Sequence, residues 1–122
     1  MGVAAPIQRD PIARPEQRLV AAIISRAWSD MCGASDDDAW PAISFLTDRF
    51  GSHARWRNEL LDGMGLDGDV FAERVRRFLD GDLPMPTGLI DPDAPVTHAG
   101  IRMRTERARR RWQHLKDRSN TT

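Results

Sequence analysis

Cysteine occurs once, at Cys32, so no disulfide framework can form within the chain and a reducing, cytoplasmic setting is expected. Tyrosine is absent, and lysine occurs once, as Lys116, beside seventeen arginines. No apolar run approaches the roughly 18 residues that span a bilayer, so no membrane segment is expected. A charged-then-apolar signal pattern is not expected in the first 30 residues, which already carry Arg9, Asp10, Arg14 and Glu16. Neither period-two alternation nor hairpin dipeptides between apolar runs occur, which removes the usual signs of a sheet. No internal repeat is evident.

What is present suits one helical domain. A chain of 122 residues that is 40% hydrophobic can close a single core without a disulfide or a metal. The formal net charge of +0 hides an asymmetry: residues 1–50 carry a net −2, residues 51–97 a net −4 and residues 98–122 a net +6. An acidic body is therefore followed by a basic tail.

Residues 1–14 hold two prolines and no period, and read as a flexible arm. Pro15 and Glu16 suit the first turn of a helix. Leu19, Val20, Ile23, Ile24, Ala27 and Met31 then recur at helical spacing, and Gly33 is expected to end the helix in the left-handed conformation. Ser35 and the acids Asp36, Asp37 and Asp38 read as the cap and first turn of a second helix rather than as a metal site. Pro41 is placed in that first turn, and Ala39, Ile43, Leu46 and Phe50 form the apolar stripe up to Gly51. Ser52 is expected to cap a third helix over 53–63, with Trp56, Leu60, Leu61 and Met64 inward. Asp69 or Asp67 caps a fourth, with Phe71, Val75, Phe78 and Leu79 on one face and Gly81 closing it. Residues 81–96 contain Pro84, Pro86, Pro92 and Pro95 and read as an extended linker in which Leu83, Met85, Leu89 and Ile90 can pack on the body. Thr97 caps a basic amphipathic helix over 97–118, and residues 119–122 should fray. The expected fold is all-α: a core of about four helices over 15–80, a proline-rich linker and a basic C-terminal helix.

Reactive groups do not converge. His53, His98 and His114 fall on different elements, none at zinc spacing. Cys32 follows an apolar stripe without an activating neighbour and reads as an inert thiol. Gly63, Gly65 and Gly68 follow a helix rather than a strand, unlike a phosphate-binding loop. No catalytic residue, metal ligand, cofactor or small-molecule substrate is predicted, and a non-enzymatic role is expected.

The stretch from Trp56 to Phe78 and Leu79, WRNELLDGMGLDGDVFAERVRRFL, resembles the helix-turn-helix-like core of small helical proteins from prophages and related mobile elements. The resemblance rests on Gly65, Leu66, Asp67, Asp69, Phe71, Arg74, Val75, Arg76, Arg77 and Phe78, with helices at Arg18–Trp28 and Trp40–Leu46 where that group has them. It covers about half the chain and implies a helix-turn-helix-like pair. In a DNA-reading pair the start of the second helix enters the major groove. Here that start is Asp67, Gly68, Asp69, Ala72 and Glu73, whose carboxylates oppose phosphates, while Arg74, Arg76 and Arg77 come later as backbone contacts.

The basic helix offers two uses. Arg102, Arg104, Arg107, Arg109, Arg110 and Arg111 are the candidate nucleic-acid contacts. Ile101, Ala108, Trp112 and Leu115 form a narrow seam that docks on the acidic body or on a second copy. The favoured expectation is a phage-type nucleic-acid-associated protein, a small regulator or DNA-packaging accessory subunit. Its rival is a protein-binding adaptor or inhibitor of mobile-element origin. Self-association through the seam is compatible with either.

Overall fold

The computed structural model describes residues 14–86 and 97–120. Five helices follow in order: α1 Pro15–Cys32, α2 Asp36–Thr47, α3 Ser52–Asp62, α4 Gly68–Leu79 and α5 His98–Asn120. No strand occurs among the described residues. Residues 1–13 of the expected arm, and Leu89, Ile90, Pro92 and Pro95 of the expected linker, lie outside the described residues.

Local chemistry places most helix ends where the residue pattern puts them. Pro15 opens α1, where a missing N–H costs nothing, and the Arg14 N–H bonds Gln17 Oε1 at 3.3 Å. Ser35 caps α2, its Oγ accepting the Asp38 N–H, and three acids fill the first turn. Asp67, not Asp69, caps α4 by accepting the N–H groups of Asp69 and Val70 at 2.9 and 3.1 Å.

Five expectations change. Gly33 is extended (φ −80°), so its need for glycine is steric: a Cβ there would lie 2.9 Å from the Ser29 carbonyl oxygen. Pro41 lies beyond the first turn, inside α2, where both it and Asp37 are exposed, so water can serve the carbonyl that lacks a helical donor. α2 ends at Thr47 because Asp48 is extended, which leaves Phe50 84% exposed instead of in the stripe. Gly51 rather than Ser52 caps α3, and Trp56 is 49% exposed, lying across the Phe45 ring at 5.0 Å. The buried stripe of α3 is Ala54, Arg57 and Leu61, with Leu60 and Met64 half-buried against the core. Finally, α5 runs through Ser119 and Asn120, past the expected fraying point.

α3, its turn and α4 form the helix-turn-helix-like pair. Gly65 turns the chain at φ +76°, a conformation that residues with a Cβ rarely adopt. Gly68 then lets α4 start directly against α3 at Asn58. Met31, Ile43, Leu46, Leu61, Val75 and Phe78 form the centre of the core. α5 lies across the ends of α1 and α4, with Ala108 fully buried and Trp112 and Leu115 packed on the same core. The strap after α4 packs Leu83 and Met85 on the body, where the Met85 sulfur accepts the Trp28 indole N–H at 3.2 Å.

Candidate functional site

A helix leaves its last carbonyls without helical donors, and its C-terminus carries partial negative charge. Neither α1 nor α2 has a basic residue in its own last turn. Guanidinium groups from other elements fill that role. At the end of α1, Arg111 Nη1 donates to the Met31 and Gly33 carbonyls at 2.9 and 2.7 Å, and Arg107 Nη1 donates to the Cys32 carbonyl at 3.1 Å. At the end of α2, Arg57 Nη1 donates to the Phe45 carbonyl at 3.1 Å, and Arg76 donates to the Thr47 carbonyl. At the end of α4, Arg109 reaches the Phe78 carbonyl through Nε and the Leu83 carbonyl through Nη2, with its guanidinium 4.9 Å from the Phe78 ring centre.

The fork of the guanidinium explains the choice of arginine at these places. One group serves two acceptors with fixed geometry, which an ammonium on a flexible stem does not match. Arg111 uses the rest of its fork on Asp36 Oδ1, at 3.1 and 2.7 Å. Arg57 is fully buried and also donates Nε to Asn58 Oδ1 at 3.1 Å, while Nη2 stands 3.9 Å from Asp69 Oδ1 without a hydrogen bond. Burial lowers the pKa of Arg57, with Asp69 opposing the shift.

The six candidate phosphate contacts of α5 therefore divide. Arg107, Arg109 and Arg111 turn inward onto backbone carbonyls. Arg102 and Arg110 are exposed and Arg104 is half-buried, none of them with a carboxylate partner among the described residues. The outward face of α5 also carries Glu106 and Asp117, so it is of mixed charge rather than a rail of guanidinium groups. On α4, Arg74 and Arg77 are exposed, whereas Arg76 is held by Glu73 and the Thr47 carbonyl.

The seam is largely internal. Ala108, Trp112 and Leu115 face the body, and Ile101 is half-buried. The Trp112 indole N–H and Lys116 Nζ both donate to Asp80 Oδ1, at 2.8 and 2.7 Å. Those bonds, the lysine first, hold the Asp80 carboxyl below its ordinary range.

No group of three His, Cys, Asp or Glu side chains is placed to hold a metal among the described residues. Burial pushes the Cys32 thiol up to about 12, against weaker lowering by Arg104, Arg111 and Arg107. Iodoacetamide at pH 8 should therefore label native Cys32 at least roughly a thousandfold more slowly than the unfolded chain. Mass spectrometry with and without urea measures the ratio; comparable rates would mean that α5 does not cover the thiol.

Two surface features escape the apolar pattern. The corner between α2 and α3 exposes Phe50 and Trp56, flanked by exposed Arg49 and Arg55. Arg49 lies 3.6 Å from Glu73. The second feature is an apolar groove beside α4. The first arises because Asp48 is extended and ends α2 before Phe50, and nothing in the apolar spacing marks either feature. No protein family, curated protein or solved structure matches the chain. No described helix is long and apolar enough to cross a membrane.

Proposed function

We propose that this chain is a non-enzymatic, cytoplasmic protein-binding adaptor or inhibitor of the mobile-element kind that residues 56–79 resemble. The observation that carries this reading is the α2–α3 corner, where Phe50 is 84% exposed and Trp56 49% exposed between two exposed arginines. Large aromatics and arginine dominate the binding energy of protein interfaces. The inward turn of Arg107, Arg109 and Arg111 supports it, because the positive tail then has a structural use.

One observation favours a second reading, nucleic-acid association. Arg74, Arg77, Arg102, Arg104 and Arg110 have no carboxylate partner among the described residues. Deleting α5 does not separate the two readings, since it removes Ala108 and Arg111 from the core. Charge reversal on the surface does. The tagged chain should retain a stoichiometric protein partner from cells that encode it, and Phe50→Ser should lose that partner while keeping the fold, because the site is exposed. Labelled duplex DNA should not bind at low salt. DNA binding that falls steeply with salt and is lost in Arg102→Glu/Arg110→Glu would replace the adaptor reading with the second.

A further inference from the structure

Between α4 and the strap that follows it lies an open groove of about 370 Å3. Trp28 forms its floor, Phe71, Val75 and Phe78 line one side, and Leu83 and Pro84 line the other. This size is at the small end for a ligand cleft and suits a few apolar side chains. Its polar inventory is short. The Trp28 indole N–H is taken by Met85. The carbonyls of Phe78 and Leu83 are taken by Arg109. An extended peptide therefore finds neither of those acceptors free for backbone pairing. The one charged side chain of the lining is that of Arg74, which is exposed.

An apolar trough with one positive group calls for an apolar body with one negative group. We propose that the groove docks an amphipathic helix of the partner protein, which inserts aliphatic or aromatic side chains over Trp28 and sets a carboxylate against Arg74. This inference rests on the adaptor reading and names the partner's chemistry. Helix-in-groove recognition works through such spaced anchors, with charge fixing the register. A polyanion such as nucleic acid fits less well, since the apolar walls offer its backbone nothing.

The test uses a terminally blocked helical peptide of roughly 20 residues, with two leucines one turn apart and a glutamate one turn beyond. A second peptide replaces the glutamate by lysine. In amide-correlation NMR spectra of the whole chain, the glutamate peptide should shift the Trp28 indole signal and the amides of residues 71–78. It should bind about fivefold more tightly than the lysine peptide, the weight of a partly exposed ion pair. Arg74→Glu should reverse that order, and because Arg74 is exposed the variant should fold. Equal affinity of both peptides, or shifts confined to the Phe50 corner, would overturn the proposal. So would binding of decanoate in the groove without binding of either peptide, which assigns it to small apolar acids. A wild-type chain that ignores the peptide while Leu89→Ser/Ile90→Ser binds it assigns the groove to the chain's own residues, and also overturns the proposal. The adaptor reading has a separate fate: a cellular complex lost in Phe50→Ser but untouched by Arg74→Glu keeps the adaptor and removes the groove from it.

Discussion

Arg111→Ala should destabilise the fold by about 3 kcal/mol and lower Tm by roughly 10 °C. Arg111 is only 6% exposed, and its side chain donates to Met31, Gly33 and Asp36. Truncation leaves the Met31 and Gly33 carbonyls without that donor, in a place that water reaches poorly. The loss of Asp36 matters less, because that carboxylate is 71% exposed and solvated. Arg111→Lys should keep the charge and still cost about 2 kcal/mol, since an ammonium cannot span the same acceptors. Arg110→Ala, one residue away and exposed, should stay within about 0.5 kcal/mol of wild type. Urea denaturation of the three variants checks the set. An Arg111→Ala midpoint equal to that of Arg110→Ala would mean that α5 is not clamped to the body.

Gly68→Ala should cost about 3 kcal/mol, for a reason unrelated to backbone freedom. A Cβ at Gly68 would sit 2.1 Å from Asn58 Oδ1 and 2.8 Å from Asn58 Cα. The side chain of Asn58 cannot simply swing away, because Oδ1 accepts from Arg57 Nε and Nδ2 donates to Asp69 Oδ1 at 2.9 Å. The contact with Cα remains even if it does, so α3 and α4 must separate. That separation also disturbs the bond from buried Arg57 to the Phe45 carbonyl. Gly63→Ala is the internal control. Gly63 has an ordinary helical φ of −61°, and its Cβ would meet nothing closer than 3.5 Å, so alanine there should stabilise by about 0.5 kcal/mol. Thermal unfolding of both variants, followed by circular dichroism, gives the comparison. A neutral Gly68→Ala would show that the two helices do not meet as closely as described.

The Asn58–Gly68 approach and the Arg111 clamp have the same character. Each depends on where two elements cross, and neither leaves a mark in local spacing. Trp56 illustrates the consequence. Hydrophobicity placed it inward, yet Arg57 occupies the buried position beside it. A charged residue is assigned to the surface unless its acceptors are known, and here the acceptor is a carbonyl twelve residues earlier. Phe50 continues the helical spacing of the α2 stripe but lies past Thr47, where Asp48 leaves the helical conformation, so it faces solvent.

The helices are legible in the residue order because their signals are local: Pro15 at a first position, Ser35 and Asp67 as caps, Gly65 in the turn, and apolar residues at steps of three and four. The asymmetry between an acidic body and a basic tail is legible in the same way. What Arg107, Arg109 and Arg111 of that tail face depends instead on how the helices cross. A guanidinium group suits a phosphate and a helix C-terminus equally well, since both present oxygen acceptors with negative charge. For Arg107, Arg109 and Arg111 it is a backbone carbonyl, because α5 crosses the ends of α1 and α4, a long-range contact that no spacing within residues 98–120 encodes.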